Sequence, residues 1–200
     1  DGKAGLLTGT PSNAESEISY TMLLTVTDKE GAIGTQSITI AVANINDDPY
    51  FTSIASPDAT EEVLYTYVIK TDDDDRHTAS ETEISTISIT ENPDWLSLMV
   101  SEDGKTGVLS GTPQNSDAET SYTMLLIVTD EEGSKATQSI TVAVENTNDT
   151  PYFMSIGLSE STEEVTYNYV IQTEDDDRYT ASATETSWIT IYGEPDWLEL

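Results

Sequence analysis

Along most of this chain apolar and polar residues alternate with a period of two, as in half-buried β-strands. Nowhere does the i, i+3, i+4 spacing of an amphipathic helix persist over ten residues. Tyr20, Met22, Leu24 and Val26 share one face of a stretch whose other face carries Thr21, Leu23 and Thr25, and an Asp28-Lys29-Glu30-Gly31 turn follows. Ile38, Ile40 and Val42 alternate with Thr39, Ala41 and Ala43. Val63, Tyr65, Tyr67 and Ile69 alternate with Leu64, Thr66, Val68 and Lys70, and Ile87 and Ile89 with Thr86, Ser88 and Thr90. The pattern predicts an all-β chain, with Trp95 in its core and Tyr122, at the start of a late strand, placed for a tyrosine-corner hydrogen bond.

The pattern also repeats. Asn44-Ile45-Asn46-Asp47-Asp48-Pro49-Tyr50-Phe51 returns as Asn146-Thr147-Asn148-Asp149-Thr150-Pro151-Tyr152-Phe153, an offset of 146 − 44 = 102. At that offset residues 1–98 match residues 103–200 without a gap, with 62 identities in 98 positions. Such self-similarity identifies a tandem array, whose 102-residue unit has the size of one domain. About seven short strands per unit, separated by turn signals, predict tandem Ig-like antiparallel β-sandwich repeats. Residues 49–150 are expected to form a complete unit, 1–48 the back half of the preceding one and 151–200 the front half of the next. If residue 200 is a true end, the two halves present apolar strand edges, and residues 151–200 of one copy could pair head to tail with 1–48 of another.

Charge narrows the range of partners. Seven basic residues stand against 38 acidic ones, a formal charge of −31, which excludes nucleic acid and anionic membrane as natural partners. The chain has no cysteine, so no disulfide staples it, and no apolar run long enough for membrane insertion. These features fit an exported, extracellular or cell-surface protein.

The acids are concentrated in particular loops. Thr71-Asp72-Asp73-Asp74-Asp75-Arg76 recurs as Thr173-Glu174-Asp175-Asp176-Asp177-Arg178, and Glu61-Glu62 as Glu163-Glu164. Asp28 recurs as Asp130, and the Asn-x-Asn-Asp joint recurs as already described. Adjacent carboxylates repel one another, so a loop that keeps them together gains from a hard cation, and Ca²⁺ takes six to eight oxygen ligands. Read as extended chain, Asp72 and Asp74 lie on one side and could share an ion.

A Glu near the unit start, Thr-Asp-x-Asp-Asp after the second strand, Asp-x-x-Gly after the penultimate strand and Asn-x-Asn-Asp-x-Pro-x-Phe at the end together resemble cadherin repeats. Pro93-Asp94-Trp95-Leu96 and Gly107-Val108-Leu109-Ser110-Gly111-Thr112-Pro113 resemble more closely the cadherin-like, dystroglycan-type and Ig-type repeats of bacterial surface proteins. The resemblance implies Ca²⁺ at each joint, stiffening a string of domains into the spacer of an adhesin or surface filament. By matching position, one joint would use Glu61 or Glu62 with Asn146, Asn148 and Asp149, and Glu174 and Asp176 from the following unit. The other would use Asn44, Asn46 and Asp47 with Asp72, Asp74 and Asp130. The acidic Leu-Asp-Arg-Glu segment of cadherins has no counterpart after Thr112-Pro113, so one or two ions per joint are expected. Their affinity should be that of extracellular modules, roughly 10⁻⁴ to 10⁻³ M.

Two other classes compete with a spacer. Tyr179 and Trp188 stand where the other unit has His77 and Thr86, so an aromatic surface for carbohydrate or a protein ligand is the alternative. An enzyme is not expected. The single histidine, His77, is not repeated, no nucleophile accompanies it at a recognisable spacing, and acids repeated with every unit are a poor design for one catalytic centre.

Overall fold

A computed structural model describes residues 4–55, 58–78, 83–181 and 186–200. Its strands are β1 (Ser19–Thr27), β2 (Ile33–Ala41), β3 (Tyr50–Phe51), β4 (Asp58–Thr60), β5 (Tyr65–Asp72) and β6 (Thr86–Thr90). They continue with β7 (Leu96–Val100), β8 (Thr106–Gly111), β9 (Ser121–Thr129), β10 (Lys135–Glu145), β11 (Tyr152–Phe153) and β12 (Thr173–Glu174). The only helical pieces among the described residues are short 3₁₀ turns, in accord with the period-two pattern.

Strands β3 to β10 make two four-stranded sheets, β4-β10-β9-β6 and β3-β5-β8-β7. Tyr65, Tyr67, Ile69, Leu96 and Leu109 from one sheet pack with Ala59, Ile87, Met124, Leu126, Val128, Ile140, Val142 and Val144 from the other. Burial of such side chains, about 25 cal/mol for each Å² of apolar surface, holds the sheets together. Trp95 is half-buried against this core and sits edge-on to Tyr65 and Tyr122. The Tyr122 hydroxyl bonds upstream as expected of a tyrosine corner, but to a side chain instead of backbone, donating at 2.6 Å to the Asp117 carboxylate. Burial and this carboxylate push its pKa up to about 12.

Three details depart from the sequence pattern. The described residues of the unit form eight strands where about seven were expected, because the chain entering it splits between the sheets: β3 pairs with β5 and β4 with β10. The β4–β10 pair is parallel in an otherwise antiparallel sandwich. Val63 and Leu64 are exposed, and β5 begins only at Tyr65. Glu62 adopts a left-handed φ of 58°, and the amide of Val63 bonds the carbonyl of Thr60 at 3.2 Å, so a turn stands where the alternation suggested strand.

Outside the sandwich, β1 and β2 form a hairpin in the register of β9 and β10, with Met22 opposite Ile38 as Met124 is opposite Ile140. Leu126 and Val128 are fully buried, whereas their counterparts Leu24 and Val26 are 43% and 62% exposed. The hairpin register is therefore local, and burial comes from the opposing sheet.

Gly111 lies where β8 passes β7, and a Cβ there would sit 1.8 Å from the carbonyl oxygen of Trp95 and 3.1 Å from the Cα of Leu96. Backbone atoms cannot yield as a flexible side chain would. Gly111→Ala should cost roughly 3 kcal/mol, read from the urea midpoint, and an unchanged midpoint would contradict this packing.

Candidate cation site at the joints

The acidic run is placed by the strand that precedes it. Tyr65, Tyr67, Ile69 and Thr71 of β5 point inward, and the same phase carries on to Asp73 and Asp75, which are 0% and 5% exposed. Asp73 caps a 3₁₀ turn (Asp74–His77), its carboxylate accepting from the amide of Asp75 at 3.0 Å. Asp175 caps the equivalent turn, Asp176–Tyr179, and Asp177 is likewise buried. Left-handed Glu62 works in the same way on the other wall, turning its own side chain out and leaving Glu61 2% exposed at the joint.

Glu61, Asp149 and Asp177 come together, one carboxylate oxygen of each lying within 4.8 Å of the others. Glu61 accepts from the amide of Thr147 at 2.5 Å, but its second oxygen is buried without a hydrogen-bond partner. Asp177 accepts from the side chain of Asn146 at 2.9 Å and from the amide of Asp149 at 2.7 Å. The expectation for this joint thus divides: Glu61, Asn146 and Asp149 are assembled, while Asp177 occupies the place expected for Glu174 and Asp176. Glu174 pairs with Arg178 at 3.5 Å, Asp176 accepts from the Tyr152 hydroxyl at 3.4 Å, and Asn148 donates to the carbonyl of Asp149 at 2.8 Å.

At the other joint Asp75 accepts from the side chain of Asn44 and from the amide of Asp47, both at 2.7 Å. Asp130 is buried, accepts from the amides of Gly133 and Ser134, and receives the side chain of Asn46 at 3.0 Å. Asn44 and Asp47 thus meet at Asp75, while Asn46 and Asp130 meet each other. Asp72 instead faces His77 at 3.3 Å, and Asp74 is exposed beside the Tyr50 hydroxyl. The position matching Glu61 would be 61 − 102, outside this sequence.

One contributor lies outside the acidic motifs. Asn115, two residues after Pro113 where an acidic segment is missing, donates to the Asp149 carboxylate at 3.0 Å and keeps its own carbonyl oxygen buried and unpartnered. Asn13 makes the same bond to Asp47 at 2.8 Å. The recurrence of Asn13 at Asn115 within the 102-residue offset was the available clue.

Burial raises the pKa of Glu61 above its ordinary value; the Thr147 amide opposes this, and the charges of Asp149 and Asp177 add to it. Burial likewise raises Asp73, whose second oxygen also lacks a partner, with Asp75 and Asp130 adding and Arg76 opposing. An acid raised in the folded state contributes stability below its unfolded pKa and loses it as pH climbs through the folded value. In chelator, stability should accordingly fall as pH rises through and above 4.5, the ordinary Glu value. Glu61→Gln should flatten that slope; identical slopes in urea midpoints taken across this range would contradict the assignment.

Residues 48–145 match the protein family described as Putative Ig domain. No curated protein matches the sequence. Among solved structures, the protocadherin gammaB7 EC3-6 cis-dimer is 18% identical with a TM-score of 0.52, covering 84% of this chain and 42% of that one. The extracellular cadherin domains 1-5 of protocadherin gamma B2 are also 18% identical, with a TM-score of 0.51 and coverage of 82% and 33%. An endo-fucoidan hydrolase of glycoside hydrolase family 107 is 22% identical, with a TM-score of 0.42 and coverage of 70% and 21%, a looser likeness. The chain thus spans less than half the length of each.

Proposed function

We propose that the chain is a Ca²⁺-stiffened spacer segment of an extracellular surface protein, a reading supported by the match of residues 48–145 to the family described as Putative Ig domain and by the fold shared with cadherin extracellular domains. The observation that carries this reading is the buried, unpartnered oxygen of Glu61 beside Asp149 and Asp177. Two anions near 4.8 Å repel by on the order of 3 kcal/mol at an effective dielectric of 20. Three such pairs, on the order of 10 kcal/mol together, offset the roughly 1.5–3 kcal/mol from each of the four charge-assisted hydrogen bonds in the cluster and leave little net gain. A divalent cation shifts that balance, and an all-oxygen donor set suits Ca²⁺.

Glu61, Asp149 and Asp177 would hold the ion at the joint after residue 145, with Asn115 and Asn146 keeping the aspartates in place. At the joint before residue 49, Asp47, Asp73, Asp75 and Asp130 would do so with Asn44 and Asn46. Bound there, the ion supplies positive charge that ties one unit to the next. The reading is structural and non-catalytic, with neighbouring units, or head-to-tail copies, as partners.

A second reading rests on the aromatic residues. Trp188 and Tyr192, 83% and 89% exposed, match Thr86 and Thr90, which face outward on edge strand β6. Register rather than an uncovered core would then put both rings in solvent, available to stack on a glycan or a partner protein. Glycan-array binding lost in Trp188→Ala would favour this reading, and an array without signal in either protein would remove it.

Calorimetric titration with Ca²⁺ tests the first reading. Uptake near millimolar Kd is expected, weakened at least about tenfold at one site by Asp177→Asn, the loss of one charged ligand. Asp176→Asn should change it little. No heat of binding, or equal losses in both variants, would overturn the assignment.

A further inference from the structure

The β1–β2 hairpin and the segment around β11 and β12 stand outside the sandwich, and their core-type side chains show it. Leu24 and Val26 are exposed, and Tyr167, Tyr169 and Ile171 are only half-buried where Tyr65, Tyr67 and Ile69 are buried. Ser16 and Thr180 do not follow this rule. Ser16 is 3% exposed and its counterpart Ala118 0%, and Thr180 is 8% exposed and its counterpart Thr78 5%. An opposing sheet is not what covers Ser16 and Thr180, since they stay buried without one. Both lie where one unit meets the next.

The contacts at that place are direct. The 3₁₀ turn Asn115–Asp117 lies against Asp176–Tyr179 of the following unit, and Asn13–Glu15 lies in the same way against Asp74–His77. Beside the first of these contacts the carbonyl of Ala118 accepts from the amide of Ala181 at 3.2 Å, a backbone bond from one unit to the next. The linker is fastened on both sides: Asn115 holds Asp149 and Asn146 holds Asp177, as Asn13 holds Asp47 and Asn44 holds Asp75. At the earlier joint the Ser16 hydroxyl donates to the side-chain oxygen of Asn44 at 2.6 Å, which extends the chain of bonds across the joint. Left-handed Glu17 and Glu119, with φ of 61° and 59°, follow Ser16 and Ala118, and their amides bond the carbonyls of Val42 and Val144 at 2.9 and 2.8 Å. Each turn is thereby pinned to the chain that runs into the linker.

Position 118 carries only a methyl group and position 16 only a hydroxymethyl group. A site without free surface has no room for a longer side chain, and extra methylenes there force neighbouring backbone apart. Here a backbone bonded to the site, at Ala181, belongs to the next unit. We propose that residues 114–118 of one unit and 175–181 of the next form a direct unit-to-unit interface, with the small side chain at position 118, or 16, as its specificity-determining contact. Protein contact then sets the angle of the joint, and the cation holds it there against the carboxylate repulsion. The part given to the cation rests on the Ca²⁺ reading above; the interface does not.

The test measures distances by double electron–electron resonance between nitroxide labels on Ser139→Cys and Gln172→Cys in the intact 200-residue chain. Both positions are exposed, and the chain has no cysteine of its own. In millimolar CaCl₂ the parent should give one narrow distance peak. Ala118→Gln should lose that peak, whereas Ala118→Ser, which installs the residue of the earlier joint, should keep it. Ala181→Pro removes the bridging N–H from an exposed residue, and Thr180 before it is already extended, as a residue preceding proline must be. It too should lose the peak, and it decides the matter if Ala118→Gln fails to fold. A narrow parental peak in Ala118→Gln or in Ala181→Pro would overturn the proposal, as would a parent with no narrow peak in CaCl₂. A parent equally narrow in chelator and in CaCl₂ would defeat the Ca²⁺ reading instead, and the variants would still decide the interface.

Discussion

Three carboxylates brought together by two successive units set the physical problem of this molecule. Glu61 comes from the turn after β4, Asp149 from the linker and Asp177 from the unit beyond it. Each is fixed by backbone geometry: a left-handed residue beside Glu61, an inward strand phase before Asp177, and the Asn115 clasp on Asp149. The repulsion is therefore built into the placement of the three side chains.

The sandwich supplies the rigidity this arrangement needs. The β1–β2 hairpin and its counterpart β9–β10 share register, yet only the latter is buried, because only it faces a second sheet. Tyr67 reinforces the contact between sheets, its hydroxyl reaching Gln138 of β10 at 3.0 Å while Gln138 returns to the carbonyl of Ser53 at 2.7 Å. Buried polar groups satisfied in this way fix the sheets in one relative placement. The acidic loop at the end of β5 inherits that placement directly.

The fold was largely legible in the sequence. Alternation located β1, β2, β5, β6, β9 and β10. The parallel β4–β10 pair was not, since three residues carry too little periodicity to show which sheet they join. At the site, motifs singled out Glu61, Asn146 and Asp149, which lie in or beside the carboxylate cluster, and Asn44, Asn46, Asp47 and Asp130, which lie among the bonds around Asp75 and Asp130. Asp72 and Asp74 were singled out by reading the acidic run as extended chain, and they, Glu174 and Asp176 also by position in the cadherin resemblance. Continuing the phase of Tyr65, Tyr67 and Ile69 would have pointed to Asp73 and Asp75, because an inward strand face persists until the chain turns. Asn115 escaped because an amide in a turn has many ordinary roles.

The central claim, that these joints take up a divalent cation and stiffen, is tested most directly by small-angle scattering of the chain in millimolar CaCl₂ and then in chelator. A longer particle with a narrower spread of interdomain distances in Ca²⁺ is predicted, collapsing to a broader distribution in chelator. Superimposable profiles would contradict the account and leave the joint carboxylates as a crowded but metal-independent surface.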